Sequence, residues 1–311
     1  MFPVRSKKQN FERWQQMKVT IFTPTYNRAY ILGKLYRSLQ RQTCRDFEWL
    51  IIDDGSSDDT EALVATWLEE GNDFSIRYYQ VPNGGKHRAI NKALDLAQGE
   101  LFFTVDSDDY LTDDAIEKIL RWEAELPENH NFCGIAGNLS HSPEVWVNSK
   151  FDQGFLDGTA LDRYGAADGE RAMVFYTHIH RLYKYPEFDG ERFMTEAVTW
   201  NRMAADGYKI RFYNDIIWIF EYRADGLTAQ GNQLFMKNPR GYGLWLREKA
   251  KIQEYSLKDT MKMWYAFTCD HSFGPKEHRL TAGNCARYIG APLVFVWISR
   301  AGHWAMMRIK K

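Results

Sequence analysis

Phe102-Phe103-Thr104-Val105-Asp106-Ser107-Asp108-Asp109 is a short apolar run that stops abruptly in three carboxylates. A run of that length is a buried strand, and its end carries acid groups to the edge of a sheet. Glu48-Trp49-Leu50-Ile51-Ile52-Asp53-Asp54-Gly55-Ser56 has the same form. With these two, at 100–105 and 48–52, further strand-like runs fall at 19–23, 76–81 and 132–136, and the apolar spacing between runs predicts helices over 31–42, 59–70, 87–97 and 113–126. Asp58 and Glu61 have the spacing of a capping box at one helix start. Strands alternating with helices read as βαβ units: an α/β fold with a mostly parallel sheet flanked by helices. Ligands of such sheets bind beyond the carboxyl ends of the strands, so the residues just after each strand are the ones to inspect.

Working outward, residues 1–17 form a polar, basic extension and 18–138 the α/β half. Residues 139–171 read as an irregular, glycine-rich segment, followed by a helix at 196–206 that Gly207 stops and by strands at 210–213 and 216–222. The pattern turns helical from about residue 231 to 311, a C-terminal helical extension.

The chain has 311 residues, 44% hydrophobic and 26% charged, with a net charge of -1. That balance suits a globular core and gives no global argument for a nucleic-acid partner. Cys44, Cys133, Cys269 and Cys285 are too scattered for a metal pair or a disulfide framework, which points to a reducing compartment. No secretory leader precedes the first strand and no apolar run is long enough to span a bilayer, so the expectation is a cytoplasmic protein. After Glu277 there is no acid, while Arg279, Arg287, Arg300, Arg308, Lys310 and Lys311 gather among Phe295, Trp297 and Trp304. Such a segment is able to touch an anionic membrane surface from the inner face, and its alternative is a core-packed, solvated helix.

Three carboxylates at a buried strand end repel one another and lose hydration, and a divalent cation relieves both costs. Mg²⁺ or Mn²⁺ takes one or two carboxylates and fills its remaining positions with phosphate oxygens and water, which suits a bound nucleoside diphosphate. A polar turn with helix-capping aspartates is the plainer alternative at both acidic strand ends. Asp54 is able to accept a hydrogen bond from a base or ribose. Asn83-Gly84-Gly85-Lys86-His87-Arg88 enters a helix with cationic groups suited to phosphate, although neither a Walker loop nor a dinucleotide fingerprint is present. His178 and His180 alternate on what reads as an extended segment, without a third ligand nearby, and are left out of the metal set.

Thr20-Ile21-Phe22-Thr23-Pro24-Thr25-Tyr26-Asn27-Arg28, Asp53-Asp54-Gly55-Ser56, Asn83-Gly84-Gly85-Lys86 and Val105-Asp106-Ser107-Asp108-Asp109, in this order, resemble glycosyltransferase family 2 over roughly residues 18–225. The resemblance implies a GT-A fold over 18–230, with a nucleotide-binding half at 18–138 and an acceptor half at 139–230. It also implies an inverting transfer from a nucleotide-sugar donor to a glycan or lipid-linked acceptor, in bacterial surface polysaccharide or glycolipid synthesis, with Mn²⁺ or Mg²⁺. Carried over position by position, Pro24, Tyr26 and Asp54 look like the nucleoside pocket and Lys86 like a donor contact. Asp108 resembles the main metal ligand, and Asp106 and Asp109 divide the second metal position and the ribose contact between them in an order the sequence leaves open. Glu196, in Phe193-Met194-Thr195-Glu196-Ala197, resembles the family's base, although many relatives have Glu-Asp where this chain has Glu196-Ala197. Arg223 falls in a segment similar to the loop that closes the site and meets phosphate charge.

Two other classes share these features. A sugar-nucleotide pyrophosphorylase would show a glycine-rich, arginine-containing loop near the N-terminus, and 23–28 has no glycine. A non-catalytic sugar- or partner-binding protein on the same fold would have lost acids at the strand ends, whereas only the second acid after Glu196 is missing.

Overall fold

The computed structural model describes residues 17–309 apart from 129, 130, 146, 149, 163, 164, 222, 224, 225 and 227–229. Its strands are β1 (Val19–Thr25), β2 (Phe47–Asp53), β3 (Ser75–Gln80), β4 (Leu101–Thr104), β5 (Tyr110–Leu111), β6 (Phe132–Ser140), β7 (Phe155–Gly158), β8 (Arg171–Tyr176) and β9 (Lys209–Ile219). Among the described residues they form one sheet in the order β3-β2-β1-β4-β8-β6-β9-β5, with β7 paired to β9. The helices are α1 (Gly33–Gln40), α2 (Thr60–Glu69), α3 (Lys86–Leu96), α4 (Ala115–Ala124), α5 (Thr177–His180), α6 (Ala197–Ala205), α7 (Asn232–Lys237), α8 (Pro239–Ile252), α9 (Leu257–Phe273), α10 (Ala282–Ile289) and α11 (Leu293–Ile309).

β1 pairs in parallel with β2, from Val19↔Phe47 to Thr25↔Asp53, and with β4, from Val19↔Leu101 to Phe22↔Thr104. β2 pairs in parallel with β3. The carboxyl ends of all four strands therefore share one edge, and the four sequence motifs emerge there together. β1 and β2 are covered on both faces, which is why they read as nearly unbroken apolar runs. Ile21, Leu35, Trp49 and Phe103 belong to the main core, and Phe22 stacks on Phe102 at 5.5 Å.

The parallel expectation describes this first half. Beyond β4 the sheet is mixed, because β8 runs antiparallel to both β4 and β6, and β5 and β7 run antiparallel to β9. β9 is one strand where the sequence suggested two, and its pairing with β6 shifts register near Ala136 and Asn138. Gly137 lies at that irregularity, where a Cβ would come within 2.6 Å of Ile217. α2 starts at Thr60 rather than through a reciprocal capping box: the Asp58 carboxylate accepts the Thr60 N–H at 3.1 Å and the Ala29 N–H at 3.0 Å.

The chain divides into two compact units, Met1–Lys184 with Arg202–Tyr222, and Tyr185–Asn201 with Arg223–Lys311. This differs from the boundary read at residue 230, since 185–201 groups with the C-terminal helices. The reason is local. The Glu191 carboxylate accepts the N–H groups of Arg240 and Gly241, both at 2.8 Å, at the start of α8, and Asn238 Oδ1 accepts those of Arg192 at 2.7 Å and Phe193 at 3.1 Å. The helical unit has its own core of Phe267, Cys285, Ile289 and Val296. Ser256 caps α9 through the Asp259 N–H at 3.1 Å, and Thr281 caps α10 through the Asn284 N–H at 3.2 Å.

Candidate active site

The edge of the sheet is stitched together by its own loops. Asn27 sits in the left-handed region at φ 53, donates its N–H to Ser56 Oγ at 2.8 Å and accepts the Ser57 N–H at 2.8 Å. Those bonds fix the turn after β1 to the turn after β2, leaving Pro24 half-buried and Tyr26 50% exposed. An exposed ring beside a polar edge is free to stack on a planar ligand.

Asp54 is buried, and its carboxylate accepts the Gly84 N–H at 2.7 Å, the Gly85 N–H at 2.8 Å and an Asn83 side-chain N–H at 3.2 Å. It therefore shapes the turn after β3. That turn needs Gly85, at φ 96, immediately before Lys86 opens α3. Asp53, fully buried, plays a similar part by accepting the Ser56 N–H at 2.8 Å and the Tyr78 hydroxyl at 2.5 Å.

Lys86 Nζ then meets Asp106 at 2.7 Å. Arg28 Nη1 lies 3.9 Å from Asp108 and also donates to the Tyr30 hydroxyl at 2.6 Å. Burial and the neighbouring Asp106 charge push the Asp108 carboxyl above its ordinary range, against the pull of Arg28 and Lys86. Asp109 has turned the other way. Its Oδ2 accepts the Trp218 indole N–H at 2.8 Å and its Oδ1 faces the Glu221 N–H at 3.4 Å. Burial first, then the Asp106 charge, push Asp109 up to about 8.

Among the described residues no three His, Cys, Asp or Glu side chains converge as a ready metal cage. What is present is a pair, Asp106 and Asp108, close enough for one charge to disfavour the other and each facing a cation. Two hard oxygen donors that repel one another fit a Mg²⁺- or Mn²⁺-type ion, which completes its shell with water and phosphate oxygens. The third acid of the run, Asp109, has its oxygens directed to Trp218 and Glu221.

Of the residues singled out in the sequence, the first unit brings together Asp54, Lys86, Asp106, Asp108 and Asp109 through these bonds, with Pro24 and Tyr26 on the adjoining loop. Glu196 and Arg223 belong to the helical unit. Glu196 is half-buried just before α6, where its carbonyl accepts the Trp200 N–H at 3.3 Å. Arg223 is half-buried, and its carbonyl accepts the Gly226 N–H at 3.3 Å. Much of the loop around it lies outside the described residues. His178 and His180 occupy the single turn α5 rather than an extended segment, with His178 exposed and His180 buried against Phe102 and Phe175. Burial pushes His180 down to about 3, in keeping with a packed ring.

Sequence reasoning gave Arg28 and Trp218 no role. The sign for Arg28 was a cation at a strand end opposite an acidic one; Trp218 gave none, because its partner is 109 residues away.

Among known proteins, the family model Glycosyl transferase family 2 matches residues 20–195, more than half of the chain. The chain is 26% identical over 260 residues to the GalNAc(5)-diNAcBac-PP-undecaprenol beta-1,3-glucosyltransferase of Campylobacter jejuni, covering 81% of this chain and 79% of that protein. It is 31% identical over 233 residues to the Streptococcus pneumoniae glycosyltransferase GlyA, covering 70% of this chain but only 32% of that longer protein. Among solved structures, S. aureus TarS 1-349 in complex with UDP-GlcNAc aligns with TM-score 0.60 at 16% identity, over 91% of this chain and 88% of that one. The mannosyltransferase PcManGT from Pyrobaculum calidifontis, in complex with GDP-Man and Mn²⁺, aligns with TM-score 0.54 at 16% identity, over 94% and 92%. These two likenesses establish the GT-A fold.

Proposed function

The chain belongs to glycosyl transferase family 2 and is a glycosyltransferase, and from that premise we propose a metal-dependent, inverting transfer from a nucleotide-sugar to an acceptor hydroxyl. The observation that carries the reading is the meeting of Lys86 with Asp106 and of Arg28 with Asp108 at the carboxyl edge of parallel strands. Paired acids beside cations at the edge where α/β sheets bind ligands, with the Asp108 carboxyl raised above its ordinary range, suit a site for a divalent ion and a diphosphate.

In this reading Asp108, assisted by Asp106, holds Mn²⁺ or Mg²⁺. When bound, such an ion contributes the positive charge that a departing diphosphate needs. Lys86 and Arg28 turn from the carboxylates to the phosphate oxygens, Lys as a point charge and Arg as a fork. Asp54 acts through the turn it holds, presenting Lys86, and Tyr26 with the Pro24 backbone flanks the nucleoside. Asp109 anchors the acidic loop to β9. Arg223 serves the diphosphate, and Glu196 removes the acceptor proton from the face opposite the leaving group, as inversion requires.

For the acceptor we infer a lipid-linked glycan in surface polysaccharide or glycolipid synthesis, on the strength of the Campylobacter relative, whose name gives a glucosyl transfer to an undecaprenol-linked sugar. An acceptor with a polyprenyl tail stays in a bilayer, so the reading also puts the enzyme at a membrane surface.

The test of the base is Glu196→Gln. Transfer is expected to fall by about 10²–10⁴-fold, the usual worth of a general base, with nucleotide-diphosphate affinity unchanged. Full turnover by the variant would remove Glu196 from the mechanism.

A further inference from the structure

Helix α11, Leu293–Ile309, presents its sides to the wrong media for a helix in water. Its inward side carries Val296 at 0% exposure and Ser299 at 6%, and His303, which meets the Tyr265 hydroxyl of α9 at 3.0 Å. Arg300 is the sole charged residue between 293 and 306, and it too points inward, giving a hydrogen bond to the Leu280 carbonyl at 2.8 Å. Facing out are Leu293 at 49% exposure, Val294 at 65%, Trp297 at 59%, Ile298 at 66% and Trp304 at 50%. Residues 294, 297, 298, 301 and 305 recur at helical spacing, so they form a continuous apolar stripe completed by Ala301 and Ala305. Soluble surfaces rarely leave such a stripe uncovered.

The stripe continues onto α9. Leu257, 73% exposed, and Met261, 41% exposed, line an open groove with Tyr265 and Phe295, and Lys258 and Lys262 form its rim. The Trp264 ring packs on Phe295 at 5.4 Å, and Phe273 stacks on His303 at 4.6 Å, so α9 and α11 offer the groove and stripe as one surface. On the other side of α9, Arg247, Lys251 and Glu254 line a second hollow beside Gly290, just before α11 begins.

We propose that this surface lies on an anionic phospholipid bilayer, with α11 parallel to the membrane plane, its stripe among the upper acyl chains and Lys258 and Lys262 at the headgroups. Charge complementarity decides the occupant. The apolar stripe is flanked by Lys258 and Lys262, of which Lys262 also pairs with Asp259 at 2.8 Å, and the sequence after Glu277 holds no acid to repel an anionic surface while Arg279, Arg287 and Arg300 follow. A second copy docking by two-fold symmetry would press the same patch against itself and set two net-positive segments, each carrying Lys258, face to face. Trp297 and Trp304 supply amphipathic rings of the kind that settle at the headgroup level. No helix among the described residues is long and apolar enough to cross a membrane, so contact along one face is the available mode. The proposal rests on the lipid-linked acceptor reading for its purpose, since it brings the enzyme to where that acceptor is held.

The test is sedimentation of the full chain with vesicles of phosphatidylcholine alone or with phosphatidylglycerol, beside light scattering of the protein without lipid. Wild type is expected to pellet with the anionic vesicles and to be released by high salt, whereas Val294→Asp/Ile298→Asp weakens partitioning by about ten-fold or more and Lys258→Glu/Lys262→Glu weakens it on anionic vesicles only. Both pairs are exposed, and unchanged nucleotide-diphosphate titration in each variant verifies its fold. Equal pelleting of wild type and Val294→Asp/Ile298→Asp would overturn the proposal, and so would a wild-type dimer that the same substitutions split while no vesicle binds. Failure of the nucleotide titration in wild type would instead count against the donor reading, with the vesicle result standing apart from it.

Discussion

The Asp109 carboxylate accepts the Trp218 indole N–H at 2.8 Å, which ties the acidic loop after β4 to β9, the neighbour of the sheet's terminal strand β5. Three neighbouring aspartates thus split into a pair facing cations and a single buried anchor. Asp109→Asn is expected to keep metal-dependent nucleotide binding within a few-fold of wild type while Asp108→Ala loses it. Trp218→Phe, which leaves a buried carboxyl short of a donor, is expected to cost about 1–3 kcal/mol of stability, read as a lower urea midpoint. Loss of nucleotide binding in Asp109→Asn equal to that in Asp108→Ala would make Asp109 a metal ligand.

Asp54 and Gly85 bear on affinity through Lys86. Asp54→Asn replaces an acceptor of two backbone N–H groups with one that brings a donor of its own, so the turn after β3 shifts. A ten-fold loss of nucleotide-diphosphate affinity, about 1.4 kcal/mol, is expected, as is a further loss of stability in Gly85→Ala from its φ of 96. Calorimetric titration of Asp54→Asn and of Asp54→Asn/Lys86→Ala separates the routes. If Asp54 acts by presenting Lys86, its substitution adds little once Lys86 is gone; full additivity would mean that Asp54 contacts the ligand by itself.

His271, fully buried against the rings of Phe267 and Tyr242, sets an acid limit on the helical unit. Burial pushes it down to about 4, from 6.5 in an unfolded chain. Below pH 6.5 the unfolded chain takes up a proton that the folded chain refuses, so stability falls as pH drops from 6.5 to about 4. The slope approaches 1.4 kcal/mol per pH unit and the total about 3 kcal/mol. His271→Met should flatten that part of the profile in urea unfolding followed by hydrogen exchange in α9. An unchanged slope would show that His271 is already charged in the folded state.

The first half of the fold was legible because its strands are buried on both faces and its helices are amphipathic, so β1 to β4 and α1 to α4 each left a periodic trace. The remaining strands left less. β5 has two residues, β7 four half-exposed ones, and β8 follows a glycine-rich stretch that masked its pairing with β4 and β6. Asn214-Asp215 looked like a turn between two strands, whereas β9 runs through it where its register with β6 slips. In the site, the acids and Lys86 were readable from their places at strand ends. The hydrogen-bond partners of Asp54 and Asp109 were not, because they lie 30 and 109 residues away. The grouping of 185–201 with the C-terminal helices was equally hidden, since it depends on Glu191 and Asn238 meeting backbone N–H groups across the fold.

In the proposed donor site Asp108 and Asp106 would hold a divalent ion, which would supply positive charge to a nucleoside diphosphate bound beside it. Calorimetric titration of a panel of nucleoside diphosphates and nucleotide-sugars, with and without Mn²⁺, on wild type and Asp108→Ala, tests it most directly. Binding of one nucleotide that requires the ion and is lost in Asp108→Ala is the expected result, whereas binding that is equally tight without the ion, or unaltered in the variant, would contradict it.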